Sequence, residues 1–249
     1  MADQELLDSA ILHTHSIPNT DHQSLPDAPK TYTYYHAGPL FTLAELHTNV
    51  LLSQAVSKLS SGKYTPVLPQ DLEQRDLTPH SIRDEDLRAL LNCDLALITY
   101  DGTELDAGTV VEYMVAKVAD IPTVILRTDF RVSGDQEGKG DSWNLMSSSW
   151  PRTFGITVNA MVEYKAGLAK ALEAGQTLNS GEVAIEGIAQ KIIDGFDKVL
   201  SEPPRLPKEL RDSVYHWLAL MPGFRDGGDQ GNIDEFAKLC KDKEAKGLL

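Results

Sequence analysis

Residues 93–116 read CDLALITYDGTELDAGTVVEYMVA. A short apolar run, an acidic turn with two glycines and a segment with helical spacing of its apolar residues predict a strand over 95–99, a loop and a helix. Carboxylates therefore collect where the carboxyl end of a strand meets the next helix, and open α/β sheets bind ligands at this place. Glu112 lies just off the apolar stripe of the helix, so it is either an ordinary surface glutamate or a half-buried group that faces a cleft.

The segments around this stretch alternate between strand and helix patterns. The other predicted strands are apolar, aromatic or β-branched runs at 31–37, 64–68, 123–126 and 154–158. Helical spacing of apolar residues is found at 43–59, 84–91 and 167–200. Because strands that alternate with helices form a parallel sheet with right-handed crossovers, we expect an α/β fold of flavodoxin-like (Rossmann-like) type. This fold is a three-layer sandwich with a central five-stranded parallel sheet.

Composition divides the chain into three parts. Residues 1–30 are polar, contain prolines and lack periodicity, so we expect an N-terminal extension with little fixed structure. The α/β domain is expected over 31–200. Residues 201–249 begin with the proline-containing linker SEPPRLP and continue as a helical C-terminal extension that glycines interrupt at 223–231. The loop at 133–149 is rich in Gly, Asp and Ser, and we expect it to cover a site.

The charge balance excludes some classes of partner. The chain has 37 acidic and 23 basic side chains, which is a formal net charge of -14. Nucleic acids and anionic membranes require a basic surface, so we expect neither as a partner and favour a small or neutral ligand. No apolar run approaches the length that spans a bilayer, and the N-terminal segment lacks the features of a signal peptide. We therefore expect a cytoplasmic location.

Neither the cysteines nor the histidines indicate a metal site. Cys93 and Cys240 lie far apart and belong to no CxxC pair, so we expect neither a disulfide framework nor a zinc site. His13 and His15 lie in the N-terminal extension without a second cluster that would complete a metal site. We expect no metal and no cofactor.

Four motifs together resemble the nucleoside 2-deoxyribosyltransferase family: AGPLF after the first strand, DEDL, the stretch at 93–116, and NLM. They extend over about 31–158, and the specific part is an aspartate, a small-residue turn and a glutamate six positions later. The resemblance implies a flavodoxin-like transferase of nucleoside salvage that exchanges the base of a 2'-deoxynucleoside for another free nucleobase. It implies a covalent deoxyribosyl-glutamate intermediate and a homo-oligomer, at least a dimer.

The resemblance assigns three catalytic residues. Glu112 matches the nucleophile, and a carboxylate can stabilise and then trap the oxocarbenium-like state that forms when a base leaves the sugar. Asp86 in DEDL matches the proton donor to the leaving base, with Asp84 as the fallback if the register is shifted. Tyr34 matches a tyrosine that positions the nucleophile. Tyr35 points to the opposite face of the strand, so only one of the two tyrosines can do this.

Further positions match substrate-binding residues. Asp106 matches the group that binds the 5'-hydroxyl of the sugar, although a lone aspartate there also reads as a helix N-cap. One carboxylate oxygen could cap the helix while the other binds the sugar. Asn144 matches a second partner of the same hydroxyl, which in the family often comes from a neighbouring subunit. Met146 is expected to line that pocket.

The first loop and the loop after the second strand complete the expected site. Gly38 lies in the first loop, and Gln70, with Glu73, lies where the family recognises the base. Arg127 and Arg131 follow the fourth strand, and we interpret them as surface or lid residues because most arginines are solvated.

Three other functions remain open from the sequence. A 2'-deoxynucleoside 5'-monophosphate hydrolase would need basic groups for the phosphate, whereas this chain has an uncharged first loop and Asp106 at the 5' position. A carboxylate against a phosphate costs about 1 to 4 kcal/mol. Plain hydrolysis of nucleosides depends on loops that admit water. A non-catalytic nucleoside-binding module is the alternative of another class.

Overall fold

The computed structural model describes residues 30–72, 78–136, 138–175 and 180–249. Its core is one sheet of five parallel strands, which are β1 (Tyr32–Ala37), β2 (Tyr64–Val67), β3 (Leu95–Thr99), β4 (Thr123–Arg127) and β5 (Thr153–Thr157). The strands lie in the order β2-β1-β3-β4-β5. This is the flavodoxin-like strand order, with its switch point between β1 and β3. The predicted fold class is therefore confirmed.

Helices cover both faces of the sheet. They are α1 (Leu43–Leu59), α2 (Pro79–Asn92), α3 (Ala107–Val118), α4 (Ala160–Glu173), α5 (Ser180–Leu200), α6 (Arg211–Leu220) and α7 (Gly228–Lys246). One apolar cluster joins the sheet to α2, α3, α6 and α7 through residues such as Leu87, Tyr113 and Phe236. The other joins the sheet to α1 and α5 through Val56 and Phe196. The layers are thus helix, sheet and helix.

Capping residues explain where the helices near the site begin. The Thr42 side chain accepts a hydrogen bond from the backbone of Glu45, and the Glu45 side chain caps the Thr42 backbone in return. Thr78 caps α2 and Pro79 takes its first position, where a missing N–H costs nothing. Helix α2 therefore begins five residues before the predicted start at Asp84, because this proline starts a helix and does not break one.

The region after β5 differs from its prediction in detail. The helical segment predicted at 167–200 is two helices, and Asn159 caps α4 at an earlier start. Helix α4 ends before Gly175, which has a left-handed φ of 70°. Helix α7 begins at Gly228, inside the predicted glycine-rich interruption. The C-terminal extension packs on its own domain, because Tyr215 and Phe236 belong to the same buried cluster as α2 and α3.

The expected N-terminal extension, with His13 and His15, lies outside the residues that the structure describes, apart from Lys30. In the described part of the chain, no helix combines the length and apolarity needed to cross a membrane.

Candidate active site

Glu112 is held by a hydrogen bond from Tyr35. Asp106 caps α3 just after β3, so Glu112 lies on the second turn of this helix, close to the carboxyl edge of the sheet. Tyr35 reaches it from β1, which pairs with β3, and its hydroxyl donates to Oε1 of Glu112 at 2.7 Å. Glu112 is half-buried, whereas Tyr35 is fully buried. Of the two interpretations of Glu112, the half-buried group facing a cleft is the one the structure shows.

The expected role of Tyr34 is wrong. Successive side chains of a strand point to opposite faces, and Tyr34 points to the α1 and α5 layer, where its ring lies 5.0 Å from the ring of Phe196. The same alternation directs Tyr35 to the α2 and α3 layer, which contains Glu112. The correction from Tyr34 to Tyr35 therefore follows from the face on which α3 packs.

Asp86 and Glu112 line the same cavity, of about 540 Å³, which we call the Glu112 cavity. Its volume is in the range of small-molecule sites, and its wall is largely apolar. The lining residues come from the first loop, α2 and α3, and they include Gly38, Leu40, Phe41, Ile82, Arg83, Asp86, Leu87, Asp106, Val111 and Glu112. Three carboxyl groups thus meet in one apolar cavity at the carboxyl edge of the sheet.

Burial raises the pKa of two of these carboxyl groups. It raises the pKa of Glu112 to about 7, and the Tyr35 hydrogen bond offsets part of this effect by lowering it. Burial also raises the pKa of Asp86 to about 6, with a smaller contribution from the charge of Glu85. The order of the two values is the reverse of what an ionised nucleophile and a protonated donor require. A positive charge that develops on a bound sugar would lower the pKa of the adjacent Glu112 and favour the required state.

The two candidate donors have different surroundings. Oδ1 of Asp86 is buried and has no hydrogen-bond partner within the described ranges. Asp84 instead accepts a hydrogen bond from Nε of Arg83 at 3.0 Å and from the backbone N–H of Arg225 at 3.1 Å, and it does not line the Glu112 cavity. The structure therefore favours Asp86, and the fallback register is not supported.

Asp106 has one oxygen engaged in helix capping. Its Oδ2 accepts from the backbone N–H of Thr109 at 2.7 Å and from the Thr109 hydroxyl at 2.8 Å. Oδ1 has no hydrogen bond to any residue that the structure describes. Asp106 also lines the Glu112 cavity. Its geometry is thus compatible with both capping and a sugar contact.

Gly38 is required by the close approach of the first loop to β3. A Cβ atom at this position would lie 2.9 Å from Cβ of Thr99, closer than real Cβ contacts. Gly38 is buried and lines the Glu112 cavity. Glycine therefore lets the loop backbone form part of the cavity wall.

Asn144 and Met146 do not join Glu112 in this chain. Both are exposed and line a second cavity of about 760 Å³, which we call the Trp143 cavity. Val110 and Met114 of α3 line this second cavity, and Ala107 at the start of the helix lines both cavities. Within one chain, Asp106 and Asn144, the two expected partners of the 5'-hydroxyl, therefore line different cavities.

Gln70 makes a local contact. Its Nε2 donates to the carbonyl of Leu46 at 3.2 Å, and its buried Oε1 has no partner among the described residues. It does not line the Glu112 cavity, although the preceding Pro69 does. Glu73 lies outside the described residues.

Arg127 is a buried residue whose structural role the sequence interpretation missed. It is fully buried, and its guanidinium donates to the carbonyls of Tyr100, Gly102 and Arg131 at 2.5 to 3.1 Å. It therefore ties the loop before α3 to the segment after β4. Arg131 is exposed and pairs with Asp129 at 2.5 Å, as expected for a surface arginine. Arg127 is the last residue of the buried strand β4, and this position next to an apolar run could have indicated from the sequence that its side chain is buried.

Known proteins resemble this chain over the region that contains the site. Residues 34–146 match the family model described as nucleoside 2-deoxyribosyltransferase. A conserved protein from Enterococcus faecalis V583 is 31% identical over 44% of this chain and 71% of its own, with a TM-score of 0.38. A 2-desoxiribosyltransferase from Leishmania mexicana is 24% identical over 57% of this chain and 97% of its own, also with a TM-score of 0.38. No curated protein matches the chain. Residues 34–146 of this chain are therefore the part that matches a nucleoside 2-deoxyribosyltransferase domain.

Proposed function

We propose that the protein is an N-deoxyribosyltransferase, a pentosyltransferase that cleaves the N-glycosidic bond of 2'-deoxynucleosides and transfers the sugar to another base. The observation that carries the proposal is the hydrogen bond from Tyr35 to Glu112 inside a cavity that also contains Asp86. Glu112 is oriented by a buried hydroxyl, and burial raises the pKa of both Glu112 and Asp86. The positive charge that develops on the sugar would lower the Glu112 pKa, so that Glu112 acts as the ionised nucleophile and Asp86 as the acid.

In the first step, a carboxylate oxygen of Glu112 forms a bond to C1' of the sugar while the bond from C1' to the base nitrogen breaks. The electron pair of the broken bond goes to the base, and protonated Asp86 donates its proton to the base. The products are a neutral free base, a deoxyribosyl ester of Glu112 and ionised Asp86. The hydroxyl of Tyr35 keeps Glu112 aimed in one direction throughout this step.

In the second step, the acceptor base loses a proton to Asp86 and its nitrogen attacks C1' of the ester. The C1'–oxygen bond breaks, Glu112 is regenerated as a carboxylate, and Asp86 returns to its protonated state. Water in place of the acceptor base would give free deoxyribose, so exclusion of water decides between transfer and hydrolysis. Reuse of a free base in this way is a salvage reaction.

The charges around the cavity support an unphosphorylated substrate. Asp106 lines the cavity and has one oxygen free for a hydroxyl donor, whereas a phosphate beside it would be repelled. Arg83 is the basic residue of the described lining, and its guanidinium is bound to Asp84 and His80. A 5'-phosphate would therefore have to compete with an existing ion pair.

We further propose that Asn144 and Met146 act in the cavity of a second copy of the chain. Both are exposed and do not line the Glu112 cavity of their own chain, so an active homo-oligomer would explain their match to sugar-binding positions. The site is proposed to need no cofactor. Both cysteines are buried and free, which agrees with the reducing, cytoplasmic setting that we propose.

The test is incubation with 2'-deoxyinosine and free adenine, followed by chromatography. New 2'-deoxyadenosine supports the transferase, whereas free deoxyribose alone indicates a hydrolase. If the protein binds the nucleoside without turnover, the binding-module function replaces this proposal. Repeating the assay with 2'-deoxyinosine 5'-monophosphate tests the choice of an unphosphorylated substrate.

Two variants test the covalent step. Glu112→Ala should abolish turnover, and acid quenching of the wild-type reaction should give protein whose mass is increased by one deoxyribosyl group on the peptide that contains Glu112. Glu104→Gln is the matched control, because Glu104 is an exposed carboxylate in the preceding loop and does not line the Glu112 cavity. Full turnover by Glu112→Ala would refute the nucleophile.

A further inference from the structure

The C-terminal extension lies beyond the region that matches the family, yet it contacts α2, the helix that contains Asp86, through several hydrogen bonds. The match ends at residue 146, whereas α6 and α7 cover 211–246. Contacts occur along the whole of α2. Near its start, the ring of His80 lies at 3.3 Å from the carbonyl of Gly223, and Asp84 accepts the Arg225 backbone N–H at 3.1 Å.

Arg88 makes the largest set of these contacts between α2 and the C-terminal extension. It lies two residues after Asp86, and its Nη2 donates to Oδ1 of Asn232 at 2.6 Å and to the carbonyl of Asp226 at 3.1 Å. Its Nη1 pairs with Glu235, and its guanidinium lies 4.3 Å from the ring centre of Phe224. Asn232 and Phe224 are both buried. The guanidinium of Arg88 thus binds the extension in two ways: its N–H groups donate hydrogen bonds in fixed directions, and its planar face lies against the Phe224 ring.

The end of α2 is held as well. Nζ of Lys246 contacts both oxygens of Asp94 at 2.9 Å, and Nζ of Lys243 donates to the carbonyl of Cys93. Lys243 is buried, and burial lowers its pKa to about 8. Burying the ammonium group of Lys243 costs desolvation free energy, which offsets part of what these contacts contribute to stability. Apolar packing at the same place would not have this cost.

Asp86 depends on the position of its helix more than Glu112 does. Glu112 receives the Tyr35 hydrogen bond, which aims its carboxyl group directly. Oδ1 of Asp86 is buried and has no partner in the part of the chain that the structure describes. The placement of α2 therefore determines where the Asp86 carboxyl group lies, and misplacement by 1 Å can reduce a rate about 100-fold.

We propose that the segment from Phe224 to Glu235 is a positioning element of the catalytic site, which places Asp86 by holding Arg88. The inference rests on the proposed function, in which Asp86 protonates the leaving base. Arg88 acts through the helix and touches no substrate, so it is a positioning residue. Without this contact, α2 shifts, water reaches Asp86 and the proton donor is misaligned with the base.

The test compares Arg88→Gln with Arg211→Gln in the full chain. Arg211 pairs with Glu244 at 2.9 Å and so stabilises the same extension without contacting α2. The readouts are kcat, KM, the pH profile of kcat and the Tm of each variant. We expect Arg88→Gln to lower kcat about 10- to 100-fold with little change in KM. Arg211→Gln should lower Tm while kcat stays at the wild-type value.

The pH profile separates positioning from general stability. The charged and titratable groups around Asp86 are Arg83 and Glu85 on its own helix, Asp106 and Glu112 at α3, and Tyr35 on β1. None of these changes in Arg88→Gln, whereas entry of water weakens the burial that raises the Asp86 pKa. The alkaline limb of kcat should therefore move to lower pH. Arg88→Lys retains the charge and should restore part of kcat and of the profile.

Each outcome decides the inference. If Arg88→Gln and Arg211→Gln both lower Tm while kcat and the pH profile stay unchanged, the extension is only structural and the inference is wrong. If Arg88→Gln does not fold, Asn232→Ser removes one acceptor of Arg88 and should show the same effect in milder form. If wild-type protein cleaves no deoxynucleoside, the proposed function fails and the inference fails with it. If the wild type is active but Asp86→Asn keeps full turnover, the proposed function stands and the inference alone fails, because Asp86 is then not the proton donor.

Discussion

The hydroxyl of Tyr35 donates to Oε1 of Glu112 at 2.7 Å, although the two residues are 77 positions apart in the chain. Burial, followed by the charge of Glu112, raises the pKa of Tyr35 far above that of an ordinary tyrosine. Tyr35 therefore remains a hydrogen-bond donor over the whole physiological pH range. It orients the carboxylate and opposes the burial that raises the Glu112 pKa.

Tyr35→Phe should lower turnover about 10- to 100-fold, because a hydrogen bond to a charged group contributes about 1.5 to 3 kcal/mol. The pKa of Glu112 should rise, since the lost bond lowers it, and the acidic limb of kcat/KM should move to higher pH. The matched control is Tyr34→Phe. The Tyr34 hydroxyl is buried without a partner among the described residues, so its removal should leave turnover near the wild-type value. The reverse ranking of the two variants would restore Tyr34 as the positioning residue.

Glu112→Gln should make the fold less sensitive to pH. Burial raises the Glu112 pKa from 4.5 to about 7, so the folded protein holds this proton more tightly than the unfolded chain does. The contribution of Glu112 to stability is therefore lost as pH rises from about 4.5 to 7. The Tm of Glu112→Gln should exceed that of the wild type at pH 8, and the difference should shrink at pH 5. Tyr35→Phe should show a steeper loss of Tm over the same range. Equal differences at both pH values would contradict the raised pKa.

Asp86→Asn should lower turnover about 10²- to 10⁴-fold, which is the usual contribution of a general acid. Glu85→Gln removes the charge that helps to raise the Asp86 pKa, so the alkaline limb of kcat should move to lower pH while turnover at its optimum changes little. The measurement is kcat against pH for 2'-deoxyinosine. An unchanged limb in Glu85→Gln would mean that the limb reports another group.

Asp84→Asn should act on stability and spare the chemistry. Asp84 is buried and accepts the backbone N–H of Arg225, so weakening its contacts should cost about 1 to 3 kcal/mol in the free energy of unfolding. Urea unfolding measures this loss. If Asp84→Asn abolishes turnover in folded protein while Asp86→Asn does not, the register of the proton donor is the fallback one.

Gly38→Ala should destabilise the fold by about 1 to 3 kcal/mol, because its Cβ would overpack against Thr99. Turnover should fall as well, since the loop that moves lines the Glu112 cavity. The control is Gly231→Ala on α7, where a Cβ meets nothing within 4 Å. Alanine in a helix should stabilise the protein by about 0.5 to 1 kcal/mol. Urea unfolding and kcat of the two variants test the prediction, and a harmless Gly38→Ala would remove the requirement for glycine.

Much of the site was predictable because its residues lie in short, distinctive motifs. Gly38 directly follows β1, and Asp106 and Glu112 lie in the loop and helix that follow β3. Parallel strands bring such connections to one edge of the sheet. Asn144 and Met146 follow a long loop, whose path local patterns do not determine. Val111 and Val118 of α3 are exposed although they are apolar, because the spacing of apolar residues along a helix does not show what covers them.

The sequence by itself determined the elements of the fold. Helix α1 and strand β3 have the bounds that periodicity predicts, because the local alternation of apolar residues reports which side of each element is buried. The alternation of strands and helices also predicted a parallel sheet with right-handed crossovers, and the structure shows this sheet in the order β2-β1-β3-β4-β5.

Only the tertiary structure decided between Tyr34 and Tyr35, and only it showed that the C-terminal extension holds α2 through Arg88. Alternation along β1 says that the two tyrosines point apart, but the face that each one meets depends on where α3 packs, 77 residues later. The contacts of Arg88 are made with residues about 140 positions away. Such pairings depend on the packing of whole layers, and no local pattern of side chains encodes them.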